Sequence, residues 1–124
     1  MSSINRDSTA DIEYHFRILN ISQKEVSLLQ SSIGSAKCWI KNTSDSEKNN
    51  FGFLITEDVD FSMFFIQFES LKISKDSFGL FVSMTMYQDH DGLQMPQYVL
   101  DFYQKTGGQV DFSVVFVDDS DFDD

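Results

Sequence analysis

The stretch Ile12-Glu13-Tyr14-His15-Phe16-Arg17-Ile18, with Ser22-Gln23-Lys24-Glu25 close behind it, decides how the rest of the chain is read. Ile12, Tyr14, Phe16 and Ile18 fall on one side of an extended backbone, and Glu13, His15 and Arg17 fall on the other. That period of two is the mark of a half-buried strand. Ser22 followed three residues later by Glu25 matches a capping box, in which the serine caps the first turn and the glutamate reaches back. Val26, Leu29 and Ile33 then supply an apolar helical stripe, and Gly34 is placed to end the helix. The chain opens as strand then helix.

Downstream the same two periods alternate. Ala36, Cys38 and Ile40 interleave with Lys37, Trp39 and Lys41 as a second strand. The polar run Asn42 to Asn50 reads as a loop, and Phe51 to Ile55 as a third strand returning in a hairpin. Phe61, Phe64, Phe65, Phe68 and Leu71 recur at helical spacing, with Glu57, Asp58 and Asp60 near the start and Lys72 near the end, matching the helix dipole. Phe78, Leu80, Val82, Met84 and Met86 form one face of a fourth strand, with Phe81 on the other. After the turn Gln88 to Gly92, Pro96 suits the first turn of a third helix with the stripe Val99, Leu100 and Tyr103, and Gly107-Gly108 stops it. Val110, Phe112, Val114 and Phe116 alternate as a fifth strand, with Val115 and Val117 on its second face. The order β-α-β-β-α-β-α-β predicts an α+β fold, a two-layer sandwich with three helices on one face of a five-stranded sheet. The expected domain is 1–117 with a loose N-terminus over 1–10, and 118–124 is an acidic tail.

Charge sets the class of partner. The 124 residues carry nine Lys and Arg against twenty Asp and Glu, a net charge of −11. Residues 1–56 balance at six of each sign. Residues 57–124 hold Lys72, Lys75 and Lys105 against fourteen carboxylates, so the whole imbalance lies in the second half. Such a field repels nucleic acid and anionic lipid and attracts a cationic partner. The single cysteine, Cys38, has no internal partner, the N-terminus lacks the apolar core of a signal peptide, and no apolar run is long enough to span a bilayer. The expected address is the cytoplasm.

Catalytic chemistry is hard to assemble from these residues. Asp89-His90-Asp91 could suggest a metal site, but neighbours on a turn rarely converge on one ion, and a surface turn is the plainer reading. Cys38 shares a face with Ala36 and Ile40, where cysteine acts as a small apolar residue rather than a nucleophile. No glycine-rich phosphate loop is present. Carboxylate pairs are too common in the second half to single out an acid/base couple. The expectation is no enzyme, no cofactor and no metal. Trp39, Phe81, Tyr87 and Phe122 fall on polar faces or among aspartates, and acidic residues around an aromatic anchor suit a protein-binding surface.

Gly92-Leu93-Gln94-Met95-Pro96, the helix through Val99-Leu100-Asp101-Phe102, and Gly107-Gly108-Gln109-Val110-Asp111-Phe112 together resemble a widespread family of small bacterial α+β domains catalogued as a domain of unknown function. The opening strand, the Ser22-Gln23-Lys24-Glu25 helix start and the strand containing Trp39 fit the same pattern. Members often occur as immunity proteins beside polymorphic toxins, including those of contact-dependent growth inhibition. The resemblance implies an antitoxin that binds a cognate toxin domain, many such toxins being nucleases with basic clefts. Charge nominates the contacts: Asp89, Asp91, Asp118, Asp119 and Asp121, with Glu57, Asp58 and Asp60 as a second patch. The rival reading is an acidic DNA mimic or regulatory module.

Overall fold

A computed structural model describes residues 10–45, 47–86 and 95–116. They form strand β1 (Ala10–Ile21), helix α1 (Gln23–Ser32), strands β2 (Cys38–Asn42) and β3 (Asn49–Leu54), helix α2 (Ser62–Leu71), strand β4 (Phe78–Met86), helix α3 (Gln97–Thr106) and strand β5 (Gln109–Phe116). A single 3-10 turn at Lys75–Ser77 leads into β4. The five strands make one sheet in the order β2-β3-β1-β4-β5. β1 lies at its centre, antiparallel to both β3 and β4, whereas β5 runs parallel to β4 after the α3 crossover. The α+β fold and element order are those read from the alternating periods.

The alternation in β1 is obeyed: Tyr14, Phe16 and Ile18 are buried, while Glu13 is exposed and His15 and Arg17 are partly covered. The strand nevertheless runs past Ile18. A bulge between Ile18 and Ile21, with Asn20 at φ 59°, shifts the register by one and returns Ile21 to the buried side. Asparagine tolerates that left-handed backbone, and its N–H donates to the Asn50 side-chain oxygen at 3.1 Å. The hairpin joining β2 to β3 is tighter than its polar composition suggested. Asn42, Asn49 and Asn50 all belong to strands, which leaves 43–48 as the connection.

Rings fill the space between the sheet and the helices. Phe16 on β1 has the rings of Phe53, Phe64, Phe68, Phe78 and Phe102 within 5.2 to 5.8 Å, so one side chain touches β3, β4, α2 and α3. Offset and edge-on pairs of this kind add to the area they bury. The expected capping box is present at α1: Ser22 Oγ accepts from the Glu25 N–H and Glu25 Oε1 accepts from the Ser22 N–H. Val26, Leu29 and Ile33 are buried as the stripe required.

Helix α3 departs from its expected stripe. Val99, Phe102 and Thr106 are buried, whereas Leu100 is 38% exposed. At 100° per residue, positions 99, 102, 103 and 106 share one face and position 100 turns away from it. Pro96 is the extended residue before the helix rather than part of its first turn, and its carbonyl accepts the N–H of Leu100 at 3.1 Å.

The helical layer stops short of β5. Val110, Phe112 and Val114 are in register with the buried Leu80, Val82 and Met84 on the same side of the sheet, yet they are 38%, 55% and 45% exposed. Val115 on the opposite face is 54% exposed. The expected alternation is there, but little covers it.

Candidate functional site

Between β3 and α2 the chain makes a short acidic loop whose conformation is fixed by its own hydrogen bonds. The Ile55 N–H donates to the Tyr14 carbonyl at 2.7 Å, anchoring the loop to β1. Thr56 Oγ1 donates to Asp58 Oδ1 at 2.6 Å. Asp60 Oδ1 accepts from both Oγ and the backbone N–H of Ser62, at 2.6 and 2.9 Å, and so occupies a free donor at the start of α2. These two bonds, the hydroxyl's first, hold the Asp60 carboxyl below the usual aspartate range. Glu57, Asp58 and Asp60 are all exposed.

The loop borders a depression of about 190 Å³ between α2 and α3. Glu57, Asp60 and Asp101 supply carboxylates to its lining, and Phe65 and Tyr98 supply aromatic rings. Asp101 is oriented by Gln97, whose Nε2 donates to Oδ1 at 2.9 Å. The ammonium of Lys105 stands 5.6 Å from the centre of the Phe65 ring. The depression thus combines three carboxylates with aromatic faces, one of which already carries the chain's own lysine, an arrangement suited to lysine or arginine side chains of a partner. Burial and then the neighbouring Tyr98, which lines the depression, raise the Tyr14 hydroxyl above its ordinary pKa.

The structure thus brings Glu57, Asp58 and Asp60 together as one exposed patch. It adds Asp101 and Tyr98, which charge counting overlooked. Their signal in the sequence was spacing: Tyr98, Asp101 and Lys105 recur at helical intervals beside the buried Phe102. Asp89, Asp91, Asp118, Asp119 and Asp121 lie outside the described residues, as do His90, Tyr87 and Phe122. So do the acidic tail and, of the loose N-terminus expected over 1–10, residues 1–9, whereas Ala10 begins β1.

The other features singled out from sequence sit elsewhere. Cys38 is half-buried against the core and its Sγ accepts from Gln30 Nε2 at 3.5 Å, whereas Ile40, two residues on, is 42% exposed at the sheet edge. On the sheet face away from the helices, the Arg17 guanidinium lies 4.2 Å from the centre of the Phe81 ring and 3.5 Å from Asp111 Oδ2. His15 Nε2 lies 3.1 Å from Glu13 Oε1 on that face. Among the described residues no three His, Cys, Asp or Glu side chains are grouped to hold a metal ion, and no helix is long and apolar enough to cross a membrane.

No protein-family model, curated protein or solved structure matches this chain.

Proposed function

We propose that the chain is an immunity protein, an antitoxin that binds and neutralises a cognate bacterial toxin domain with a basic surface, a nuclease of a contact-dependent growth inhibition or related system. It acts in the cytoplasm and by binding alone, without catalysis or a cofactor. The observation that carries this reading is the acidic loop at Glu57, Asp58 and Asp60 beside the aromatic-lined depression. The carboxylates of Asp58 and Asp60 are held in place before any partner arrives, so little ordering of these two is lost on binding. The aspartates at 89, 91, 118, 119 and 121 add to a field that steers a basic domain toward this half of the chain.

The test begins with a tagged chain used to capture partners from its source cells at low and then moderate salt. A single basic protein retained at moderate salt, toxic when expressed alone and harmless when co-expressed with this chain, is the expected result. The triple variant Glu57→Gln, Asp58→Asn, Asp60→Asn should then associate more slowly, with a shallower salt dependence. Unchanged association kinetics in that variant would remove the acidic loop from the interface. A scatter of nucleic-acid-binding proteins that wash off with salt would replace immunity by a DNA mimic.

A further inference from the structure

The two edges of the sheet are unlike one another. β2 presents Lys41, with Lys37 just before it, the kind of charged edge that discourages strand pairing. β5 has no such guard. Over Gln109–Phe116 its sole charge is Asp111, which lies beside Arg17 on its own sheet face, and the strand contains neither proline nor lysine. Its outer side pairs with no strand among the described residues. Val110, Phe112 and Val114 continue the buried rows of β4 outward into solvent.

We infer that β5 is a dimerisation edge, pairing antiparallel with β5 of a second copy across a two-fold axis at Phe112 to make one continuous ten-stranded sheet. Two features of the strand select a second copy rather than a basic partner. An edge shaped for a basic partner would carry carboxylates, and this one carries an apolar row in the most acidic half of the chain. The strand is also complementary to itself. With a two-fold axis normal to the sheet and Phe112 opposite Phe112, Val110 faces Val114 and Asp111 faces Ser113, so no two aspartates oppose each other and the apolar row Val110, Phe112 and Val114 meets itself, while Val115 faces Gln109. The helices of both copies then lie on the same side, and the two Phe112 rings meet between the two helical layers. The pairing opposes a net charge of −11 on each copy, so association strengthens as salt screens that repulsion.

Sedimentation velocity on the full chain, at low and at high salt, reads this directly. A monomer–dimer equilibrium that moves toward dimer with salt is expected. Phe112→Lys places two like charges at the axis and should weaken the dimer by about thirtyfold or more, the loss of one interface anchor, with an unchanged circular dichroism spectrum. Phe112→Cys in a Cys38→Ala background should oxidise to a covalent dimer, because opposed residues of antiparallel strands are spaced for a disulfide. This cross-link reports the register even if the lysine variant folds poorly. A chain that is monomeric at high concentration and high salt overturns the inference and leaves β5 to a different partner. So does a Phe112→Cys chain that stays uncross-linked.

Discussion

Trp39 on β2 lies directly opposite Gly52 on β3, and its indole occupies the space where a side chain at position 52 would stand. A Cβ at Gly52 would come within 2.7 Å of the Trp39 Cη2 and nearer still to other ring atoms. The glycine is there because the tryptophan covers it. This explains how a large apolar side chain sits on the outward face of an edge strand and is only 37% exposed.

Gly52→Ala should therefore expel the indole. The cost of forcing one methyl group into an occupied site is about 1–3 kcal/mol, at the lower end here because an edge strand can yield. Tryptophan fluorescence reports the change without ambiguity, since Trp39 is the only tryptophan. Its emission should shift to the red and the melting temperature should fall. An unshifted emission spectrum would mean that the ring does not rest on Gly52.

Much of the fold could be read from sequence because its strands and helices have single, strong periods. Phe16 and Leu80 are buried where the alternation puts them, and the Ser22–Glu25 capping box is local chemistry that needs no tertiary context. What could not be read depends on neighbours distant in sequence. The bulge at Asn20 arises from pairing with β3, and the exposure of Phe112 arises from where the helical layer ends, not from anything in β5 itself. The acidic loop was legible as charge. Tyr98 and Asp101 were legible only as positions one helical turn apart, not as neighbours of the loop, because only packing brings α3 beside α2.

The capping box gives a cleaner test of local chemistry. Ser22→Ala removes the acceptor for the Glu25 N–H and leaves the rest of α1 unchanged. The expected loss is about 1 kcal/mol, or roughly 4 °C in melting temperature for a domain of this size. Ser22→Asp restores an acceptor at the same place and should recover most of that loss in the same thermal melt.

The Tyr14 hydroxyl gives the chain a stability limit on the alkaline side. Burial first, and Tyr98 second, favour its neutral form, so its folded pKa is raised. An unfolded chain ionises its tyrosines near pH 10. The stability contributed by neutral Tyr14 is thus complete below that pH and is lost as pH rises toward and through the raised value. Ultraviolet titration should show that the step lost in Tyr14→Phe lies above the ordinary tyrosine range, and the same variant should lose its share of the alkaline destabilisation. If the step lost in Tyr14→Phe lies near pH 10, the burial argument fails.

Phe16 and Phe112 stand on the same side of the sheet, two strands apart, and their fates under truncation should differ widely. Phe16 is wholly buried and joins rings from two helices and two neighbouring strands, so Phe16→Ala opens a cavity that several elements must share. Its cost is about 3–5 kcal/mol, a large part of the 5–15 kcal/mol that holds a domain of this kind together. Phe112 is 55% exposed, so at low salt, where copies of the chain repel one another, Phe112→Ala should cost under about 1 kcal/mol. Urea unfolding of the two variants side by side measures the difference. Equal losses would mean that the helical layer reaches further over β5 than its side-chain exposures allow, and the free edge on which the dimer rests would be gone.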